Sequence, residues 1–167
     1  MNAVIMLQRT TILKDTLHNS GESVLKSIMN HPLDLTSFQA ALASLQRAVT
    51  RWQATGQQDE ELRDACIQRF EYTFELSWKM LKRRLELDLP DGQAVDAMSF
   101  RELMRSGGER GLLADVDAWM VFRDKRNITS HTYNAVKAAD VAAVIPDFVQ
   151  HAQALLDQLQ ARSGDHD

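Results

Sequence analysis

From Asp59 to Leu87 the chain carries neither glycine nor proline. Within that stretch Leu62, Ala65, Cys66, Phe70, Phe74, Trp78, Leu81 and Leu85 recur at three- and four-residue steps, the period of an α-helix. A helix with so broad an apolar face cannot stand alone in water, so other elements must cover it. Asp59 and Glu60 suit its start, where negative charge meets the positive end of the helix dipole. Pro90-Asp91-Gly92 is a stop.

The covering elements also read as helices. Thr36 followed by Gln39 predicts a capping box. Phe38, Leu42, Leu45, Val49 and Trp52 then form one stripe, closed at Thr55-Gly56, where glycine can take the left-handed cap. Ser99 and Glu102 predict a second capping box, for a short helix ending at Ser106-Gly107-Gly108. A further helix starts near Leu112 or Asp115 and runs through Val116, Trp119, Met120 and Phe122 towards Asn127. The polar residues Thr129, Ser130 and Thr132 predict that it frays or bends. Asp140 reads as the cap of a last helix, with Val141, Val144, Ile145, Phe148, Ala152, Leu155, Leu156 and Leu159 in its stripe and a kink or late start at Pro146. Seven glycines and three prolines in 167 residues are few for a fold made of strands and turns. The expectation is an all-α bundle of three long helices, one medium and one short.

Residues 1–31 read as an N-terminal extension, loosely helical or disordered, with Met29 as an alternative natural start. Residues 32–162 read as the bundle and 163–167 as a flexible tail. The opening apolar run lacks the basic flank and cleavage site of a signal peptide. No segment reaches the length of a membrane span, and one cysteine, Cys66, allows neither an internal disulfide nor a zinc site by itself. These features predict a soluble cytoplasmic protein. A net charge of −4 and a pI near 5.7 argue against a surface that is basic throughout, though not against a local basic patch.

No phosphate-binding glycine loop, metal-ligand spacing or nucleophile elbow occurs, so neither a cofactor nor a metal is expected. Reactive groups concentrate between Arg123 and Asn134. Arg126 can hold a phosphate through its planar fork, His131 can move a proton near neutral pH, and Tyr133 offers a modifiable hydroxyl. On a straight helix Arg126 and His131 are rotated by roughly 140°, whereas Asn127 and His131 share a face. The helix therefore ends between Arg126 and His131, or Arg126 bends round, or a symmetry mate supplies the missing half. The bland alternative is that both side chains only satisfy a helix end. Arg123-Asp124-Lys125 reads as a solvated face, Trp52, Trp78 and Trp119 as core, and Glu71 and Glu75 as partners for Arg69, Lys79 or Lys82.

Two blocks carry a family resemblance. Residues 68–82, with Gln68-Arg69-Phe70-Glu71-Tyr72-Thr73-Phe74-Glu75-Leu76-Ser77-Trp78-Lys79 and Leu81-Lys82, resemble the long helix of the nucleotidyltransferase substrate-binding proteins of the HEPN superfamily. Arg126-Asn127-Ile128-Thr129-Ser130-His131-Thr132-Tyr133 resembles their second signature, in the Arg-x4-His-x-Tyr form of the HepT toxins. The likeness spans about Leu33 to Leu159. It implies an antiparallel four- or five-helix bundle of HEPN type, a homodimer with paired Arg/His motifs, and a minimal nucleotidyltransferase as partner. It also implies Arg126 and His131 as catalytic residues, Asn127 and Ser130 as supporting polar groups and Tyr133 as a modification site. Two functions follow from the resemblance. One is a metal-independent endoribonuclease toxin, acting on RNA and silenced by AMP transfer to Tyr133. The other is a non-catalytic substrate-binding subunit of a two-component nucleotidyltransferase.

Overall fold

The computed structural model describes residues 33–90, 92–129 and 134–164, and all of its regular structure there is helical. The helices are α1 (Thr36–Ala54), α2 (Glu60–Asp88), α3 (Gly92–Asp96), α4 (Phe100–Glu109), α5 (Val116–Ile128) and α6 (Ala135–Gly164). Six helices among the described residues exceed the four or five expected. The extra one is α3, a short helix that begins at the last residue of the Pro90-Asp91-Gly92 stop. The proposed N-terminal extension, residues 1–31, lies outside the described residues.

Most predicted caps hold, and two move. Asp59 accepts from the Leu62 amide at 3.0 Å and Asp115 from the Ala118 amide at 3.0 Å. Ser99 and Glu102 form a reciprocal capping box, at 3.3 and 2.7 Å. At the end of α1 the Gln57 amide donates to the Trp52 carbonyl and the Gly56 amide to the Gln53 carbonyl, a Schellman closure with Gly56 at φ +64°. The Thr36–Gln39 box does not form. Thr36 is already the first helical residue, and its amide donates to the Asp34 carboxylate at 2.9 Å. Asp140 is not a cap either. The last helix starts earlier, where Asn134 Oδ1 accepts from the Val136 and Lys137 amides, and continues through Pro146. Asp140 pairs instead with Lys125 at 2.6 Å.

The core gathers on Phe148 of α6. Its ring centroid lies 4.9 Å from that of Phe70, 5.3 Å from Phe122, 5.9 Å from Trp119 and 6.1 Å from Phe74, so α2, α5 and α6 share one aromatic hub. All five rings are buried, and edge-to-face pairs of this kind add to the hydrophobic gain. Contacts along the chain give the helix directions. Ser44 of α1 meets Arg69 and Tyr72 of α2 across a tight turn, so these two are antiparallel. Phe70 meets Phe148 and Arg84 meets Arg162, so α2 and α6, the longest helices, run parallel. The α3–α5 segment carries the chain back between them, and α5 is antiparallel to both.

Gly107 explains why α4 runs past its predicted end. A Cβ at that position would lie 3.1 Å from both Leu81 methyl carbons and 3.2 Å from Leu113. The glycine lets α4 lie directly on α2. It serves helix packing, and the helix continues to Glu109.

Candidate functional site

Helix α5 delivers the predicted arginine in its last turn. The helix stops at Ile128, where the amide and the hydroxyl of buried Thr129 both donate to the Arg126 carbonyl, the hydroxyl at 2.8 Å. Of the three geometries open to the sequence, the structure adopts a helix end between positions 126 and 131. Arg126 and Asn127 are described; Ser130, His131 and Tyr133 lie outside the described residues.

Arg126 turns towards α2. Its Nε lies 2.8 Å from Glu75 Oε1 and its Nη2 lies 3.7 Å from Glu71 Oε1. The closer approach is not aligned as a hydrogen bond, so the contact is an ion pair held by proximity. Glu75 is further engaged: Trp78 Nε1 donates to its Oε2 at 3.2 Å, and Lys79 stands 3.9 Å from the same oxygen. The expected pairing of Glu75 with Lys79 is present, but the dominant partner of both glutamates is an arginine more than 50 positions away.

Beside this ion pair opens a cleft of about 410 Å³ between α2, α3, α4 and α5. Phe74, Trp78 and Phe100 give it aromatic wall, and Lys82, Arg123, Arg126 and Asn127 give it polar rim. Arg123, read from sequence as part of a solvated face, lies with its guanidinium carbon 4.7 Å from the Phe100 ring centroid, a cation–π contact. Trp78 is only half-buried and forms an edge contact with Phe100, while Trp52 and Trp119 are core as expected. The sequence signal for this wall is the i, i+4, i+7 spacing of Glu71, Glu75 and Trp78, one stripe of α2 beside the core face.

Other reactive groups contribute little here. Cys66 is buried on the core side, and burial pushes its thiol up to about 11, so it is not a thiolate at neutral pH. Among the described residues no three metal-ligating side chains converge, and no helix is long and apolar enough to cross a membrane.

Comparison with known proteins places this geometry in context. A curated protein of Haemophilus influenzae, named Probable ribonuclease HepT, is 38% identical over 144 residues, covering 81% of this chain and 98% of the relative. A solved structure from the same species, described as revealing the fold of a substrate-binding domain of a nucleotidyltransferase, superposes with a TM-score of 0.72 at 36% identity, covering 76% of this chain and 99% of that one. A solved protein from Thermus thermophilus superposes with a TM-score of 0.60 at 32% identity, covering 73% and 98%. The family model described as nucleotidyltransferase substrate binding protein like matches residues 33–161, and this chain belongs to that family.

Proposed function

We propose that the chain is the substrate-binding subunit of a two-component nucleotidyltransferase, holding an acceptor or nucleotide while a minimal nucleotidyltransferase partner performs the transfer. Charge compensation at Arg126 is the observation that carries this reading. One guanidinium faces the carboxylates of Glu75 and Glu71, so the local balance is negative. A nuclease that used Arg126 to steady a phosphorane would need that donor aimed at the developing charge. Here an incoming phosphodiester must first displace or repel two carboxylates. The family description and the solved Haemophilus influenzae relative support the same reading. In this role Arg126, Asn127, Ser130 and His131 bind or orient, and two copies of the chain pair their motifs.

A second reading is favoured by a specific observation. Arg126, His131 and Tyr133 complete the Arg-x4-His-x-Tyr spacing, and the curated relative is named a probable ribonuclease. In that mechanism His131 takes the proton of a ribose 2′-hydroxyl, the 2′-oxygen attacks the neighbouring phosphorus, and Arg126 stabilises the phosphorane. A cyclic phosphate forms as the 5′-oxygen leaves. The nucleotidyltransferase would silence the site through attack of the Tyr133 oxygen on the α-phosphorus of ATP, with pyrophosphate leaving. AMP on Tyr133 would add bulk and negative charge to the proposed RNA site.

The test mixes the full chain with a minimal nucleotidyltransferase from the same organism. Complex formation is followed by size-exclusion chromatography with light scattering, and nucleotide transfer is measured with and without the chain. The expected result is a stable complex with faster transfer to an acceptor than the nucleotidyltransferase achieves alone. No complex and no change in transfer would overturn the reading.

A further inference from the structure

Among the described residues, two of the four large hydrophobics that stay exposed lie where α5 meets α6: Val121, 46% exposed, and Val136, 78% exposed. Each belongs to a stripe at four-, three- and four-residue steps, so the members of a stripe share one side of their helix. On α5 the stripe is Asp117, Val121, Asp124 and Ile128; on α6 it is Val136, Asp140, Ala143 and Asp147. Ile128 is half-buried and the rest are exposed. The Lys125–Asp140 pair at 2.6 Å and the Phe122–His151 ring contact at 5.4 Å close the seam between the two helices. The stripes therefore join into one outer face with apolar residues at its centre.

Charge decides what can cover this face. Asp117 and Asp124 make no ion pair among the described residues, and Asp147 has His151 at 3.7 Å, a cation only when protonated. Lys125 is already paired with Asp140, and Lys137 adds one positive charge in the first turn of α6. Carboxylates are therefore in excess around the valines. A nucleic acid or an anionic membrane would be repelled. A second copy docked across a two-fold axis would set the same aspartates against each other. A protein surface with lysine or arginine around an apolar centre satisfies both parts: the valines lose water and the carboxylates gain partners.

We propose that this face docks the nucleotidyltransferase partner, through a basic rim around an apolar centre on that protein. The proposal rests on the substrate-binding reading and adds where the partner sits. The placement suits that role. Val121 and Arg123, two residues apart on α5, point roughly 160° away from each other. The cleft takes Arg123, Arg126 and Asn127 from that other flank. A partner held on the outer face leaves the cleft open.

Isothermal titration calorimetry of the full chain with a minimal nucleotidyltransferase from the same organism tests this. Asp124→Lys should weaken the complex at least about tenfold, because it sets a cation against the basic rim. Val136→Ser should weaken it about tenfold, the scale of one valine left out of an apolar contact. Glu61→Lys makes the same charge change as Asp124→Lys on the exposed first turn of α2, and should leave the complex unchanged. Circular dichroism of each variant checks the fold, which these exposed positions should leave intact. A complex that ignores Asp124→Lys and Val136→Ser, or that Glu61→Lys weakens as much as Asp124→Lys does, overturns the proposal and leaves the substrate-binding reading standing. If wild type forms no complex, the substrate-binding reading fails, and an amphipathic helical peptide of leucine and lysine probes the face by itself. Peptide binding that drops about tenfold in Asp124→Lys and not in Glu61→Lys supports the basic docking face. Equal binding by all three proteins, or none, overturns it. Light scattering of the chain alone adds one more arm: a dimer that Val136→Ser dissociates would mean that a second copy covers the face, and would overturn the proposal.

Discussion

Two arginine–carboxylate clusters sit on α2, and they are built in opposite ways. Near its C-terminus, Asp88 accepts two arginines: Arg84 at 2.7 Å and Arg162 at 3.5 Å. Each arginine also donates to backbone, Arg84 to the Arg162 carbonyl and Arg162 to the Arg110 carbonyl. The Arg84 and Asp88 side chains are only 11% and 15% exposed, and the cluster ties the end of α6 to α2 and to the turn after α4. Roughly four turns earlier the ratio inverts, with Glu71 and Glu75 facing one arginine, and exposures of 43%, 31% and 33%. The first cluster is almost wholly buried inside the fold, although Arg84 Nε and one Asp88 oxygen have no hydrogen-bond partner there. The second keeps carboxylates in excess beside an open cleft. Charge on the same helix thus serves packing at one end and lines an open cleft in the middle, and burial separates the two.

The comparison breaks first on stability. Asp88→Ala removes the one acceptor two half-buried arginines share, and should cost about 3 kcal/mol by urea denaturation. A loss below about 0.5 kcal/mol would show that the end cluster is no more structural than a surface pair. Ser99→Ala serves as a calibration, since it removes a helix cap and nothing else, and should cost about 1 kcal/mol. Glu75→Gln should change stability least, by under about 1 kcal/mol, because its pair is partly exposed and solvent screens it. It should nonetheless strengthen binding of hexauridylate, since one repelling charge at Arg126 is gone. Weaker binding in Glu75→Gln would mean that the glutamate positions Arg126 for the ligand.

The Ser99–Glu102 box sharpens the contrast through pH. Its hydrogen bonds, first that to the Ser99 hydroxyl, hold the Glu102 carboxyl below its ordinary 4.5. The carboxylate form is therefore the stabilising one. Its contribution is complete above about pH 4.5 and is lost as acid titrates the group below that. The melting temperature gap between wild type and Glu102→Gln should be constant from pH 6 to 8 and narrow below pH 4.5. A gap that widens in acid would contradict the sign.

The all-α class and the helix faces were legible because burial imposes a period: Phe38, Leu42 and Leu45, or Phe70 and Phe74, can be read from spacing alone. Caps were legible where the side chain stood alone before a helix, as at Asp59, Ser99 and Asp115. Thr36 and Asp140 misled because a nearby Asp34 and Asn134 cap better placed first turns. The extra helix α3 is one turn long, too short to show a period. Arg126 stood out by residue type, but its glutamate partners did not. Glu71 and Glu75 have cations nearby in sequence, and only the return of α5 against α2 brings a distant arginine closer than those. Arg123 was hidden for the same reason: its partner, Phe100, belongs to another helix.

Compensation of Arg126 predicts a protein that binds without cutting. Labelled transfer and messenger RNA, incubated with the full chain freed of any partner in EDTA, beside His131→Ala, puts that to trial. The account predicts intact RNA with both proteins. Cleavage by wild type alone, leaving cyclic-phosphate ends and absent in His131→Ala, would contradict it and make the chain a metal-independent ribonuclease.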